Sequence, residues 1–294
     1  KDTTRARANA LREFLLHNQN ENRFDHPELK KVFELCLSCK ACASECPSNV
    51  DVAAFKAEFL HQFYKSNTRP VRDRVFGKVA WLNQMASKIP GFSNAVLQNP
   101  ISGGLIKKML GVAPRRSWPI YDRQTLLQWA SSHTQNKSNR LVYLLVDEFL
   151  NHSETHIGIK ATKLLNALGY EVRFTPLIDS GRSQLSLGLL EEARDCANRN
   201  IQMLSQLLDD NIPLLGLEPS TLLGFQDEYP KLAHDKSLAK SLAKNCFLFE
   251  TFIANEIDAG RIASSSFSNH PKTLHIHTHC HHKALDNQED VFKM

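Results

Sequence analysis

No stretch of this sequence carries the roughly 20 consecutive apolar residues that a helix needs to cross a bilayer. No basic n-region with an apolar core and a small-residue cleavage site opens it either, so neither a secretory nor a membrane-spanning reading has support. Cysteine is scarce outside one place: of 7 in 294 residues, four fall between Cys36 and Cys46, while Cys196, Cys246 and Cys280 stand apart from one another. That distribution excludes a disulfide framework and indicates a reducing, cytoplasmic compartment. The formal charge of +5 is mild and no block of Lys and Arg concentrates it. With no aromatic platform carrying interleaved cations, nucleic acid is excluded as a partner.

What is there begins with Cys36-Leu-Ser-Cys39-Lys-Ala-Cys42-Ala-Ser-Glu-Cys46-Pro47, a C-x2-C-x2-C-x3-C-P run. Three thiols two residues apart in one tight loop reach three corners of a [4Fe-4S] cubane without a long chain excursion. A zinc site would bring its ligands in separated pairs, which makes zinc the weaker reading. In two-cluster proteins the cysteine before the proline serves the other cluster. Cys46 therefore either closes a single cluster as its fourth ligand or belongs to a second one whose remaining ligands precede Lys1.

The length suits about two domains. Both ends read as cut: Lys1 stands where a Met would open the chain, and Asp290 to Met294 trails off just after a promising motif. Residues 1–68 are expected to form a helical, cluster-bearing domain. In it Thr3 to His17 is one helix, Pro27 opens a second that delivers Val32, Phe33 and Leu35 to the loop, and Asp51 or Ser48 caps a third. Val52, Phe55, Phe59 and Phe63 share a face of that third helix, a dry wall beside the cluster or plain core.

Residues 69–138 form a proline-punctuated helical connection with a Val71, Val75, Val79, Leu82 stripe. Its cations include Arg72, Arg74, Lys107 and Lys108. A solvated face is the commoner meaning of that pattern, and peripheral contact with an anionic membrane at its inner face is the other. Polar 131–139 is the linker candidate. Over 139–294 the period changes. Strands are expected at 141–146, 170–175, 212–217 and 274–278, with helices at 157–168 and 187–208 and a helix pair over 220–256. Apolar strands alternating with helices predict an α/β domain with a mainly parallel sheet covered on both faces.

In such a sheet ligands sit outside the carboxyl ends of the strands. The residues following the four expected strands are Asp147 and Glu148, then Asp179 to Arg182, then Glu218 to Ser220, then His277, His279, Cys280, His281 and His282. These predict one shared crevice. If a strand runs through them, His275, His277, His279 and His281 share a face opposite Cys280. So dense a group of imidazoles with a thiolate suits a second metal or cluster, with Cys280, His279 and His281 as ligands, or proton transfer by a histidine. Arg182 and Lys283 are candidates to hold a substrate carboxylate, or are ordinary surface charges.

Cys36 to Pro47 with Ser48-Asn-Val-Asp51 and Lys56-Ala-Glu-Phe-Leu60 resembles the iron-sulfur segment of FAD-linked D-2-hydroxyacid dehydrogenases of the D-lactate, glycolate and D-2-hydroxyglutarate type. Ser180-Gly-Arg182, Leu217-Glu-Pro-Ser220 and His277-Thr-His-Cys-His-His-Lys-Ala284 resemble the cysteine-rich half of the same proteins, which is similar in turn to heterodisulfide reductase subunits. The family's His-Gly-His-Cys-His-Gln-Lys-Ala is altered here at Thr278 and His282, and Thr221 stands where a cysteine is frequent.

The resemblance implies an α-helical, ferredoxin-like N-terminal domain followed by a Rossmann-like α/β domain of the CCG type, truncated at its C-terminus. It implies FAD bound by a flavin domain of the same full-length chain and a Cys-Cys-Gly motif downstream, neither of which this sequence contains. A group at Cys280 would then be short of ligands. The implied function is electron transfer within an oxidoreductase: flavin oxidises a small 2-hydroxyacid, and the Cys36, Cys39, Cys42, Cys46 cluster relays electrons to a further acceptor. His277, His279, His281, Arg182 and Lys283 are the catalytic candidates. This part alone is not expected to be competent. The rival readings are a thiol or disulfide reductase subunit centred on Cys280, and a docking scaffold with a structural cluster.

Overall fold

In a computed structural model of the chain, residues 3–17, 24–135, 137–208, 212–268, 270 and 273–293 are described. Four helices open it: α1 (Thr4–His17), α2 (Pro27–Glu34), α3 (Ala41–Glu45) and α4 (Val52–Ser66). Pro27 occupies the first turn of α2, and the His26 ring accepts from the Leu29 N–H at 3.1 Å. Asp51, not Ser48, caps α4 by accepting from Ala54 N at 3.0 Å. Phe59 is the hub of the apolar cluster between these helices, its ring 5.5 to 6.5 Å from those of Phe33, Phe14, Phe63 and Phe24. Val52 and Phe63 are buried with it. Phe55 is not, at 46% exposed, so the expected four-residue wall is a three-residue one.

Five short helices follow: α5 (Val71–Phe76), α6 (Val79–Ala86), α7 (Pro90–Gln98), α8 (Pro100–Leu110) and α9 (Leu126–Ser132). The expected valine stripe is not their core. Val71 is exposed, and α6 buries Ala80 and Asn83 instead. The Asn83 amide donates to the Glu148 carbonyl at 3.0 Å and accepts from the Tyr121 hydroxyl at 2.9 Å, which makes a polar side chain affordable inside.

The sheet comprises β1 (Leu141–Leu144), β2 (Glu171–Phe174), β3 (Leu214–Gly216) and β4 (Cys246–Leu248) in the order β2-β1-β3-β4, all parallel. Between and after the strands run α10 (Thr155–Ala167), α11 (Arg182–Ser186), α12 (Leu190–Leu207), α13 (Pro219–Asp227), α14 (Tyr229–Leu232), α15 (Lys236–Lys244) and α16 (Phe249–Asp258). Then come α17 (Cys280–Leu285) and a short 3-10 helix (Gln288–Phe292). Alternation in β1 sends Val142 and Leu144 toward α10 and α16, and Tyr143 and Leu145 toward α12, α13 and α15, so both faces are covered as expected.

The strand expected at 274–278 is absent. Leu274 and Ile276 are 75% and 46% exposed, so the alternation there has no face to bury. The fourth strand is Cys246–Leu248, inside the stretch read as a helix pair. Its three residues are too few to show a period, yet Cys246 and Leu248 are fully enclosed beside β3. The polar 131–139 stretch is also more than a tether. Gln135 donates to the Val172 carbonyl at 2.6 Å and accepts from its N–H at 3.0 Å, closing the outer edge of β2. Asn136, within it, lies outside the described residues.

The helices α1 to α4 seat closely on the sheet layer. Gly188, at φ +69°, brings the turn before α12 so near α4 that a Cβ there would lie 2.4 Å from Leu60 Cβ. Arg69 donates to the carbonyls of Leu187 and Gly188 at 2.6 and 3.1 Å. No helix among the described residues is long and apolar enough to cross a membrane.

Candidate functional site

The four-cysteine loop runs from the end of α2 through α3, and its thiols are free. Ser38 and Lys40, the residues flanking Cys39, take left-handed backbone angles (φ +55° and +66°) that side chains other than glycine's adopt rarely. Both are buried and held from outside the loop. The Ser38 carbonyl accepts from Arg182 Nη2 at 3.1 Å. Lys40 Nζ lies 2.8 Å from Asp51, 2.8 Å from Asp227 and 3.2 Å from Glu228, three carboxylates drawn from α4's cap and from the end of α13. These neighbours hold the Lys40 amine charged against its own burial.

After Pro47 the chain turns, the Asn49 N–H donating to the Cys46 carbonyl at 2.9 Å, and the nearby backbone N–H groups of Val50, Ser48 and Asn49 lower the pKa of the Cys46 thiol. Hydrogen bonds of that kind favour the thiolate that ligation requires. Lys56 Nζ donates to the Cys36 carbonyl at 2.7 Å. Burial holds its pKa below the usual lysine range, the Cys36 charge opposes that, and Arg182 and Arg7 reinforce it.

The polar residues at the strand ends do converge, but they turn inward. Asp147 caps its own loop, accepting from the N–H groups of Phe149 and Leu150 at 2.8 Å, and burial raises its pKa to about 6. Glu148 accepts from the Ser180 hydroxyl at 2.6 Å and the Ser180 N–H at 3.2 Å. Its burial, with Asp147 adjacent, raises its pKa to about 8. Glu218 caps α13. Arg182 bridges Glu228, Ser38 and His281 across the crevice expected outside the strand ends, and a cavity of about 270 Å³ lined by Ser38, Lys40, Arg182 and Glu228 remains beside it. What sits on the carboxyl edge of the sheet is the cysteine loop itself, and α3 packs against α17 there.

His279, Cys280 and His281 open α17, each offering one ligand atom, and these atoms lie within 4.8 Å of one another. Both rings are already engaged. His279 accepts from the His281 N–H at 3.2 Å on one nitrogen and faces Glu218 at 3.9 Å with the other. His281 meets Arg182 at 2.8 Å through Nε2 and the exposed Cys280 Sγ at 3.6 Å through Nδ1. Burial first, then Arg182, His279 and Lys40, lowers the His281 pKa to about 3. A metal at this group would displace the contact from His281 to Cys280 or the α17 cap.

Of the other expected site residues, Arg182 belongs to this assembly, while His275, His277 and Lys283 fall outside it. His275 and His277 are exposed on the irregular approach to α17, so the shared histidine face is not formed. Lys283 is exposed, and the guanidinium of Arg182 is paired with Glu228. His282 is buried against Glu250 at 3.4 Å, a packing role for that departure from the family pattern. Lys40, Asp51, Asp227 and Glu228 were missed as a unit. Lys40 reads as a spacer inside the motif, and the acids lie far from it in sequence.

No family model and no solved structure matches the chain. Curated relatives do. A D-2-hydroxyglutarate dehydrogenase of Escherichia coli is 26% identical over 260 residues, covering 85% of this chain and 25% of the relative. Proteins of the same name from Pantoea ananatis (27% over 241 residues, 78% and 23%) and Pseudomonas putida (28% over 232 residues, 76% and 23%) match similarly. This chain is similar to dehydrogenases. It spans about a quarter of the length of those relatives.

Proposed function

We propose that the chain is the electron-relay portion of a flavin-linked 2-hydroxyacid dehydrogenase, with Cys36, Cys39, Cys42 and Cys46 holding one [4Fe-4S] cluster. The observation that carries this reading is the placement of the four-thiol loop on the carboxyl edge of the sheet. There the Ser38 carbonyl accepts from Arg182, the loop's own Lys40 is anchored by the carboxylates of Asp51, Asp227 and Glu228, and the N–H groups that follow Pro47 lower the pKa of its last thiol. The names of the relatives supply the reaction class. Such a cluster supplies one-electron transfer at a potential set by its charge, hydrogen bonds and solvent access. The chain's own part is to hold the thiols, keep Phe33, Phe59 and Phe63 packed behind them and fix the loop on the sheet. The flavin, the 2-hydroxyacid and the hydride step belong in this reading to polypeptide beyond this chain, and the electrons pass to a separate acceptor.

Anaerobic reconstitution tests it. Iron and acid-labile sulfide in equal amounts, broad visible absorbance and an EPR signal on reduction are expected. A colourless protein that takes up only zinc overturns the reading.

A second reading has its own observation. Because Arg182 donates to His281 Nε2, the ring proton sits on Nδ1, aimed at the exposed Cys280 thiol. That arrangement suits thiol exchange with a disulfide acceptor. It requires that Cys280→Ser abolish reduction of a disulfide while leaving the Cys36 loop's visible spectrum intact.

A further inference from the structure

Three cationic side chains from three separate elements point at the backbone that leads into the cysteine loop. Arg7 on α1 donates to the Val32 carbonyl at 3.3 Å and the Leu35 carbonyl at 3.1 Å. Lys56 on α4 donates to the Cys36 carbonyl at 2.7 Å, and Arg182 at the start of α11 to the Ser38 carbonyl at 3.1 Å. Their counter-ions differ. Lys40 nearby is matched by three carboxylates and Arg182 by Glu228. Among the described residues, no ion pair joins Lys56 or Arg7 to a carboxylate, although Asp73 acts on Lys56 from farther off. Lys56 also lines a cleft of about 700 Å³ in which the cations Lys30, Arg72 and Arg182 outnumber the carboxylates Glu34 and Asp73.

Positive charge with no ion-pair partner at the entrance to the loop is unfavourable in isolation and becomes favourable once negative charge is placed beside it. Four thiolates on a [4Fe-4S] core carry net negative charge, and one-electron reduction adds one unit more. A fixed cation therefore stabilises the reduced state more than the oxidised one. Of the two cations without an ion-pair partner, Lys56 touches a ligand residue, whereas Arg7 reaches only the residues before it.

We infer that Lys56, seconded by Arg7, sets the reduction potential of the cluster by holding positive charge against Cys36. This rests on the iron-sulfur reading above and adds to it a residue that acts by charge and not by ligation. Lys40, saturated by its three acids, is left as a structural latch with little influence on potential.

The test is an EPR-monitored redox titration of the chain reconstituted anaerobically, comparing wild type with Lys56→Gln, Lys56→Arg and Arg7→Gln. Lys56→Gln is expected to lower the reduced-to-oxidised ratio at a fixed ambient potential about tenfold, which is ~59 mV for one electron. Lys56→Arg should overlay wild type, and Arg7→Gln should fall about threefold. A packing role would not distinguish Lys56→Arg from Lys56→Gln in this way. If Lys56→Gln and Arg7→Gln both hold full iron and titrate with wild type, the inference is overturned and the iron-sulfur reading stands. If Lys56→Gln cannot hold iron, the Arg7→Gln titration decides, an unchanged potential overturning the inference. A wild type that takes up no iron overturns both.

Discussion

Arg182 Nη2 lies 2.8 Å from His281 Nε2 and 3.1 Å from the Ser38 carbonyl, so one guanidinium ties the cysteine loop to the His/Cys helix. Arginine has no acceptor, so His281 must accept at Nε2 and carry its proton on Nδ1. With a pKa of about 3, the ring stays neutral through the physiological range. Arg182→Lys cannot reproduce a planar fork that serves Glu228, Ser38 and His281 together. The expected result is a loss of roughly 2 kcal/mol in urea unfolding. Faster amide exchange should appear in residues 38–40 and in α17 together. Histidine nitrogen shifts that show the same Nδ1–H tautomer in the variant would separate the tautomer from Arg182.

Lys40 is the second tie, and its environment sets the size of its effect. It is 2% exposed in a left-handed backbone conformation, amid Asp51, Asp227 and Glu228. Removing one partner of a buried ionic group leaves charge uncompensated, at a cost of about 3–5 kcal/mol. Lys40→Met should therefore destabilise the chain by that amount, and adding Asp227→Asn and Glu228→Gln to it should recover part of the loss. A triple variant no more stable than Lys40→Met would show that the acids are not what the amine balances.

How much of this was legible follows from period and distance in sequence. The run at Leu141–Val146 announced β1 because a doubly covered parallel strand is apolar at every position, whereas Tyr170–Thr175 announced the edge strand β2 by alternation, with Val172 buried between Glu171 and Arg173. Cys246–Leu248 did not announce β4, since three residues between helices carry no period of their own. The 274–278 alternation misled because alternation reports a buried face only where something covers it. The cysteine spacing gave the candidate ligands, a local property. The carboxylates gathered on Lys40 come from residues 51, 227 and 228, and no local pattern joins those positions.

Two buried acids make stability depend on pH in a direction opposite to the usual carboxylate. Glu148 has its pKa raised from 4.5 to about 8, and Asp147 from 3.8 to about 6. A raised folded-state pKa contributes stability that is complete below the unfolded value and is lost as pH climbs through the folded one. Wild type should therefore weaken between about pH 5 and pH 8.5. His281 and His152, lowered to about 3 and about 4, act the other way and weaken the fold as pH falls below 6.5. Glu148→Gln keeps an amide able to meet the Ser180 hydroxyl and N–H without a charge. It should shrink the difference between urea midpoints at pH 5 and pH 8.5 by roughly 3 kcal/mol in unfolding free energy. An unaltered pH profile would place the proton elsewhere.

The thiols themselves can be ranked before any iron is added. The N–H groups of Val50, Ser48 and Asn49 lower the Cys46 pKa. Burial raises Cys196 to about 12 and pushes Cys246 further still. The thiolate is the reactive species, so at neutral pH the fraction available at Cys46 exceeds that at the two buried thiols by orders of magnitude. Limited alkylation of iron-free, reduced protein followed by peptide mass mapping should label Cys46 while Cys196 and Cys246 stay unmodified until the chain is denatured. Pro47→Gly frees the turn that aims those N–H groups, and it should slow labelling of Cys46 without exposing the other two. If Cys46 reacts no faster than Cys196 in the native chain, the turn after Pro47 does not prepare a thiolate, and the support that Cys46 gives to a four-thiol site is withdrawn.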